Sequence, residues 1–381
     1  MPKLATHTIA PLQPDAILVV SQRPRPGLGR ILPSLEALGV PAVSMLAGQI
    51  GDGLPPPFHL APHRVAVLAI DAESVRIAWR AGAGLVAALG SGSHGAAQLA
   101  AGAELLLEAP SQIGSGSLLE AYAQKFRNLP SAQPRLAALA GAPAALLFDF
   151  DGTLQPVPDH PADGWLSQPM RGLLKGLATR HPLAIVSGRA VDDLERRLAV
   201  PSAYLAGNHG LELRGADYDP VSLNLAAGWR PLLDAVHERL ASLSSEYPDC
   251  VVEHKGATVA VHYRGLAPAS AVAVRRRVMR TVAGFDGVQV DSGQQVMEIR
   301  PAVHGDKGTA VDWLLQRMQC SIGPCTAVFF GDGAADEAAF RAVRRVGGLG
   351  VLIAPAGRPT AATCRLDSPQ ALATALAPLL T

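Results

Sequence analysis

The sequence predicts an α/β protein with a Rossmann-like core that an α+β segment interrupts, and a smaller α/β domain in front of it. Three observations support this class. Short apolar runs alternate with helix-like segments towards both ends of the chain, which is typical of parallel sheets covered by helices. Between about 208 and 301, short strands with alternating polarity replace that pattern. The 381 residues also exceed the size of one small domain.

The N-terminal part predicts the smaller domain. Strand-like apolar runs lie at 16–21, 65–70 and 85–89, and helix-like segments lie at 31–38 and 74–81. A stretch rich in Pro, Gly and Ser (110–117) and a second one with two prolines (129–134) flank a helix-like segment at 118–126. We therefore expect an α/β domain over 1–112 and a helical linker over 113–140.

The second α/β unit begins near residue 141. Strands are predicted at 144–148 and 183–186, with helices at 170–179 and 191–198. After the central segment, which carries two long helical stretches near 228–246 and 268–283, the α/β pattern resumes at 307–318, 327–330, 337–345 and 350–353. The sequence thus predicts one core, 141–207 with 302–381, and an inserted cap, 208–301.

Composition restricts the class of function. Hydrophobic residues make up 49% of the chain and charged residues 17%, so large cores are expected and global disorder is not. A formal net charge of +1 gives no reason to expect nucleic acid or a membrane as partner. The 4 cysteines form no C-x-x-C pair, residues 1–10 lack a signal-peptide pattern, and the longest apolar run is too short to span a bilayer. We expect a cytoplasmic protein; its oligomeric state is not predicted.

The most informative segment is 149–154, Asp-Phe-Asp-Gly-Thr-Leu, directly after the apolar run 144–148. Asp149 and Asp151 are spaced i, i+2 at a strand's carboxyl end, so they point to the same side. Gly152 allows a sharp turn that exposes backbone N–H groups. One carboxylate can then attack phosphorus while the other transfers a proton. Two aspartates that cap an ordinary strand–loop junction are the alternative.

Three further segments fit the same chemistry, and each follows a predicted strand or begins a helix. They are Ser187-Gly188-Arg189, Lys307 within Gly-Asp-Lys-Gly, and Asp332 with Asp336 in Gly-Asp-Gly-Ala-Ala-Asp. A hydroxyl with a tight turn can hold a phosphate oxygen, and an ammonium at a helix start adds positive charge. Because strand ends converge on one crevice in such sheets, the carboxylates and the ammonium suit Mg²⁺ and a phosphate monoester.

Each of these segments also has an ordinary structural explanation. Ser187-Gly188 suits any strand-to-helix turn, Lys307 suits a solvated first helical turn, and Asp332 and Asp336 suit a helix N-terminus. Their joint occurrence, in this order, makes coincidence improbable.

Together the four segments resemble the motifs of the haloacid dehalogenase-like (HAD) phosphatases over about 141–381. The resemblance implies that Asp149 is the nucleophile and Asp151 the proton donor and acceptor. It implies metal binding by Asp149, the Asp151 carbonyl and Asp332, with Asp336 in support. The phosphate would be held by Thr153, Ser187, Gly188 and Lys307. The N-terminal domain more weakly resembles the later half of such a core; its first strand ends without Asp-x-Asp, which implies that it is catalytically inactive.

The cap segments carry polar residues at strand spacing. Pairs two residues apart share a face of a strand, and three such pairs are Glu253 with Lys255, His262 with Arg264, and Glu298 with Arg300. A face of paired donors and acceptors suits a polyhydroxyl sugar. A solvated face with cross-strand ion pairs is the alternative.

With Ser-Gly-Arg upstream, these segments resemble the trehalose-phosphate phosphatases. The resemblance implies Mg²⁺-dependent hydrolysis of trehalose 6-phosphate through an aspartyl-phosphate, in trehalose biosynthesis. It places substrate contacts at Arg189, Asn208, His209, Glu253, Lys255, His262, Arg264, Glu298 and Arg300. One departure is Gly333, where the family commonly has a second aspartate, which leaves metal affinity open. The alternatives are a phosphatase for another sugar phosphate, such as sucrose phosphate or a glycosylated phosphoglycerate, and a regulator that binds sugar phosphates without turnover.

Overall fold

The computed structural model of the chain describes residues 12–23, 31–50, 60–158, 160–293, 295–303, 305–322 and 325–380. The chain divides into two compact units, Met1–Ser131 with Ala354–Arg365, and Ala132–Ile353 with Leu366–Thr381. Within the described ranges, no helix combines the length and apolar character that a bilayer crossing requires.

The first unit is a five-stranded parallel sheet in the order β2-β1-β3-β4-β5. Its elements are β1 (Ala16–Ser21), α1 (Leu32–Glu36), β2 (Ala42–Leu46), β3 (Val65–Ala69), α2 (Ala72–Arg80), β4 (Leu85–Leu89), α3 (Gly92–Ala100), β5 (Leu105–Leu107) and α4 (Ser117–Arg127). Ile17 and Val19 pack in one core and Leu18 and Val20 in another. The sheet is therefore buried on both faces, as the continuous apolar runs predict.

Two strands of this sheet, β2 and β5, are not predicted from the sequence. They are the two edge strands, and no residue of β2 is fully buried. An edge strand buries less apolar surface, so its sequence carries a weaker hydrophobic signal. The relation of this unit to a phosphatase core stays a prediction.

The second unit begins with a short helix, α5 (Gln133–Ala137), and the first half of the core. Its elements are β6 (Ala144–Phe148), α6 (Gln168–Ala178), β7 (Leu183–Val186), α7 (Val191–Leu198), β8 (Ala203–Gly207), β9 (Glu212–Arg214) and β10 (Ser222–Asn224). Strands β6, β7 and β8 pair in parallel, whereas β9 and β10 extend the sheet antiparallel. All residues of β6 and β7 are buried, which gives the sheet a closed centre.

A four-stranded antiparallel sheet with helices on one face follows. Its elements are α8 (Arg230–Leu240), α9 (Ser242–Glu246), β11 (Val251–His254), β12 (Val259–His262), α10 (Pro268–Val282), β13 (Val288–Ser292) and β14 (Val296–Pro301), with strand order β11-β12-β14-β13. Met297 and Ile299 pack with Val274 of α10, so the alternate residues Glu298 and Arg300 lie on the opposite, polar face. We call this sheet and its helices, residues 230–301, the cap.

The core then resumes with α11 (Lys307–Ile322), β15 (Thr326–Gly331), α12 (Glu337–Arg345), β16 (Leu349–Ile353) and α13 (Pro369–Leu376). The short strand β17 (Cys364–Leu366) lies where the chain passes from the first unit to the second. Within the second unit, the strands of the core sheet follow the order β10-β9-β8-β7-β6-β15-β16. Phe148 of β6 stacks on Phe330 of β15, with ring centroids 4.7 Å apart. Strands β7, β6 and β15 are therefore central neighbours, and their carboxyl ends, which precede Ser187, Asp149 and Asp332, lie side by side.

Candidate active site

The turn after β6 depends on Gly152. Its φ is +91°, a region that other residues rarely adopt, and an added Cβ would lie 2.2 Å from Oδ2 of Asp332. The Gly152 N–H donates to the carbonyl oxygen of Gln155 at 2.8 Å, which closes the turn. The carboxylate of Asp332 therefore occupies the space that the missing side chain leaves, and the ends of β6 and β15 approach closely.

Lys307 links the two strand ends through its ammonium. Nζ donates to Oδ1 of Asp149 at 2.6 Å and to Oδ1 of Asp336 at 2.7 Å, and all three side chains are buried. Burial disfavours the charged ammonium, but the charges of Asp149 and Asp336 more than offset this effect, so the pKa of Lys307 is raised. Lys307 therefore remains a cation in the floor of the site.

Three carboxylates at this place could hold a metal ion. One oxygen atom from each of Asp149, Asp332 and Asp336 lies within 4.8 Å of the others. Carboxylate oxygens are the ligands that hard divalent cations such as Mg²⁺ prefer, and a cation would relieve the mutual repulsion of the group. Asp336 is also held in place by backbone groups, because its Oδ2 accepts hydrogen bonds from the N–H of Asp332 at 3.0 Å and from the N–H of Gly333 at 2.8 Å. The donor set thus fits such an ion.

Thr153, Ser187 and Gly188 lie around the Asp149 carboxylate and the end of β7. Thr153 Oγ1 donates to Oδ2 of Asp149 at 3.2 Å. Ser187 is buried, and its Oγ accepts the N–H of Arg189 at 3.2 Å. A Cβ on Gly188 would lie 2.7 Å from the His209 ring. The turn after β7 is thus packed too tightly for a side chain, and it faces the cap.

Asp151 does not join the acidic group. Its carboxylate accepts a bidentate pair from Arg189, Nε to Oδ2 at 2.6 Å and Nη2 to Oδ1 at 2.9 Å, and Oδ1 also accepts from Nε2 of Gln155 at 2.7 Å. Arg189 is expected at the substrate from the family resemblance; the structure places it on Asp151. No sequence signal marks Gln155 for this position.

A buried polar group joins the cap to the turn after β7. Lys255 Nζ lies 3.2 Å from Oε1 of Glu298 and 3.1 Å from the carbonyl oxygen of Gly188. Glu298 also accepts from Thr258 Oγ1 at 2.7 Å, and it lies 3.2 Å from Nε2 of His209. Burial disfavours the Glu298 carboxylate, yet the charges of Lys255 and His209 and these hydrogen bonds hold its pKa below the usual range. No feature of the sequence indicates that Thr258 belongs to this buried polar group.

Asn208 lies inside this group rather than on a surface. Its side chain donates to Glu212 Oε2 at 2.8 Å and to the Lys255 carbonyl at 3.1 Å, and it accepts from Thr258 at 3.0 Å. Asn208 and His209 both have positive φ, 48° and 57°. They form the turn between β8 and β9, where the backbone reverses direction within the core sheet.

The remaining cap residues divide into two sets. Glu253 and His262 form a pair, with Oε2 and Nε2 3.0 Å apart, and the Glu253 side chain is 39% exposed. Arg264 donates to the carbonyl oxygen of Pro158 in the core. Arg300 instead pairs with Asp291 and donates to the carbonyl oxygens of Val303 and Gly305. The structure thus pairs Glu253 with His262. The two arginines instead contact backbone carbonyl oxygens, Arg264 in the core and Arg300 in the connection from the cap back to the core.

The sequence of the chain is similar to that of known enzymes. The family profile described as Trehalose-phosphatase matches residues 147–370. The trehalose-phosphate phosphatase of Mycobacterium avium (strain 104) is 35% identical over 359 aligned positions, and the alignment covers 88% of this chain and 90% of that protein. The protein of the same name from Mycobacterium tuberculosis (strain H37Rv) is 31% identical over 388 aligned positions, 98% of this chain and 95% of that protein.

Solved structures support the fold. The C-terminal domain of Candida albicans trehalose-6-phosphate phosphatase aligns with a TM-score of 0.58 and 23% identity, over 66% of this chain and 98% of that one. A trehalose-6-phosphate phosphatase related protein aligns with a TM-score of 0.52 and 24% identity, over 61% of this chain and 95% of that one. At these identities the likeness establishes the fold alone, and it confirms the predicted α/β class.

Proposed function

The chain belongs to the trehalose-phosphatase family of phosphoric monoester hydrolases, and from this premise we propose that it hydrolyses trehalose 6-phosphate to trehalose and phosphate. The observation that carries the proposal is the contact of Lys307 with Asp149 and Asp336 at the carboxyl ends of β6 and β15. A fixed cation next to a buried carboxylate nucleophile suits a phosphate dianion. We assign catalysis to 141–207 with 302–381, and sugar recognition to 208–301, of which 230–301 form the cap sheet and its helices.

In the proposed reaction, a carboxylate oxygen of Asp149 forms a bond to phosphorus while the bond from phosphorus to the sugar oxygen breaks. Asp151 gives its proton to the departing sugar oxygen and becomes a carboxylate. It then takes a proton from water as the water oxygen bonds to phosphorus and the aspartyl–phosphate bond breaks. Lys307, Ser187 and the N–H groups of the turn after β7 stabilise the charge on the phosphoryl oxygens.

The acidic group would hold Mg²⁺ through Asp149, Asp332 and the Asp151 carbonyl, with Asp336 in support; the bound ion would neutralise phosphoryl charge. Gly333 replaces a potential ligand, but its N–H donates to Asp336, so it retains a structural part in the site.

For the sugar, we assign recognition to the polar face of the cap. Glu253 and His262 lie on that face, and Arg264 follows β12 by two residues. These partly exposed side chains offer an acceptor and two donors. The cap's contact with the turn after β7 would exclude water before phosphoryl transfer. The sugar phosphate is the only partner we assign, and a cytoplasmic location stays a prediction.

The test is phosphate release from a panel of sugar phosphates with Mg²⁺. We expect the highest kcat/KM with trehalose 6-phosphate. A higher kcat/KM with sucrose phosphate or a glycosylated phosphoglycerate would assign the enzyme to another sugar. Binding of sugar phosphates without turnover would contradict a catalytic function.

A further inference from the structure

The guanidinium of Arg189 donates hydrogen bonds to two carboxylates, those of Asp151 and Asp193. Its Nε and Nη2 donate to Asp151, and its Nη1 donates to Oδ2 of Asp193 at 3.1 Å. Each of the three guanidinium nitrogens thus has a carboxylate partner, and the Arg189 side chain is only 10% exposed. A planar guanidinium that binds a carboxylate through two nitrogens fixes the orientation of that carboxylate as well as its distance.

Asp193 connects this pair to helix α7 and the loop that follows the Asp149 turn. Its Oδ2 also accepts from Nε of Arg197 at 2.7 Å. Arg197 donates to the carbonyl oxygens of Ala162 at 3.1 Å and Gly164 at 2.6 Å, and it lies 4.9 Å from the Trp165 ring centroid. Asp193 is therefore held on a helix and against a loop, and it gives Arg189 a fixed support.

We propose that Arg189, supported by Asp193, is a positioning residue that holds the Asp151 carboxylate in place between the two steps of phosphoryl transfer. The inference rests on the proposed function. After the first step, Asp151 has given its proton to the sugar oxygen and is a carboxylate, the form that a guanidinium binds in two places. The same carboxylate must then accept a proton from the attacking water. Arg189 and Asp193 thus serve the hydrolysis of the aspartyl-phosphate above all.

The test uses three variants of the whole chain. Arg189→Lys keeps the positive charge but cannot bind the Asp151 carboxylate through two nitrogens of a planar group. It leaves the ion pair of Asp193 and Arg197 in place. Asp193→Asn removes the support of Arg189 with little change in shape. Asp192→Asn is the matched control: it makes the same substitution at the neighbouring position of α7, where the carboxylate pairs with Arg214 at 2.7 Å outside the site.

Rapid mixing with 4-nitrophenyl phosphate separates the two steps, because its leaving group needs little protonation. We expect Arg189→Lys to lower the steady-state rate about tenfold or more while a burst of about one 4-nitrophenol per active site precedes it. KM for trehalose 6-phosphate should change by less than about threefold. Asp193→Asn should act in the same direction to a smaller extent, and Asp192→Asn should match the wild type.

Three results would overturn the proposal. One is a raised KM for the sugar phosphate with an unchanged steady-state rate on the aryl phosphate, which would make Arg189 a substrate contact. Another is an Arg189→Lys variant in which the rate of the burst and the steady-state rate of 4-nitrophenol release fall by the same factor. The third is an Asp193→Asn variant that cannot be distinguished from Asp192→Asn. Failure of the proposed function would appear separately, as a wild type that releases no phosphate from any sugar phosphate.

Discussion

The ammonium of Lys255, a cap residue, donates to the carbonyl oxygen of Gly188, a residue of the core, across 3.1 Å. The same ammonium also forms an ion pair with Glu298 of strand β14 in the cap. Since Gly188 belongs to the turn proposed to hold phosphate, the cap is bonded directly to that turn. Substitutions in this group are therefore expected to affect both the stability of the cap and the catalytic step.

Asp149→Asn should abolish turnover while the protein stays folded. The amide has nearly the same shape, but it is a poor nucleophile and a weaker ligand for a cation. Phosphate release measures the effect, and circular dichroism checks the fold. Asp286→Asn, at an exposed position of the cap, is the control and should retain full activity. Substantial phosphate release by folded Asp149→Asn would refute the nucleophile assignment.

Gly152→Ala should weaken metal binding. The positive φ costs a residue with a Cβ roughly 1–2 kcal/mol, and that Cβ would meet Asp332 at 2.2 Å. Asp332 must then move, so the Mg²⁺ concentration for half-maximal activity should rise about tenfold. Gly172→Ala, where an added Cβ meets nothing within 4 Å, is the matched control. Equal Mg²⁺ dependence of the two variants would show that Asp332 does not bind the metal.

Removal of divalent cations with a chelator should stop activity reversibly, and Mg²⁺ should restore it. The reason is that one oxygen from each of Asp149, Asp332 and Asp336 lies within 4.8 Å of the others, and Lys307 supplies only one positive charge against three carboxylates. Mg²⁺ should also raise the Tm, since a ligand that binds only the folded state stabilises it. Full activity in excess chelator, or a Tm that does not respond to Mg²⁺, would argue against this metal site.

Glu298→Gln should destabilise the protein at pH 7 by about 3–5 kcal/mol, because it breaks a buried ion pair with Lys255. The pKa of Glu298 is lowered in the folded state from an ordinary value of 4.5. The stability from this charge is therefore present above pH 4.5 and is lost progressively as the pH falls below it. Urea unfolding at pH 7 and at pH 3.5 should show a difference between wild type and variant that narrows in acid. A gap that is constant with pH would contradict the ion pair.

Glu253→Ala should lower kcat/KM for trehalose 6-phosphate about ten- to hundredfold, since each lost charged hydrogen bond costs roughly 1.5–3 kcal/mol. Hydrolysis of an aryl phosphate should be unchanged, because it makes no cap contact. Glu253 suits this test better than Glu298, which is buried among protein partners. Glu246→Ala, at an exposed position of α9, is the control. Equal losses on both substrates would assign Glu253 a structural part instead.

The sequence alone determined the α/β class and the four segments of the core site. These features are local: an apolar strand followed by Asp149, Ser187 or Asp332 needs only neighbouring residues to be recognised, and parallel strands bring their carboxyl ends to one edge. The alternation in β14 likewise predicted which residues share the polar face of the cap. The edge strands β2 and β5 escaped detection because short, partly exposed strands carry little periodic signal.

Only the tertiary structure decided which polar groups pair. Arg189 meets Asp151 from 38 positions away, and Lys255 meets Glu298 from 43 positions away. The family resemblance implied that both Arg189 and Lys255 contact substrate, but it did not indicate their protein partners. Side-chain spacing fixes the face on which a residue lies, whereas its partner depends on which loops the fold brings against that face. A buried charge must find a partner wherever packing provides one, and packing is a property of the whole chain.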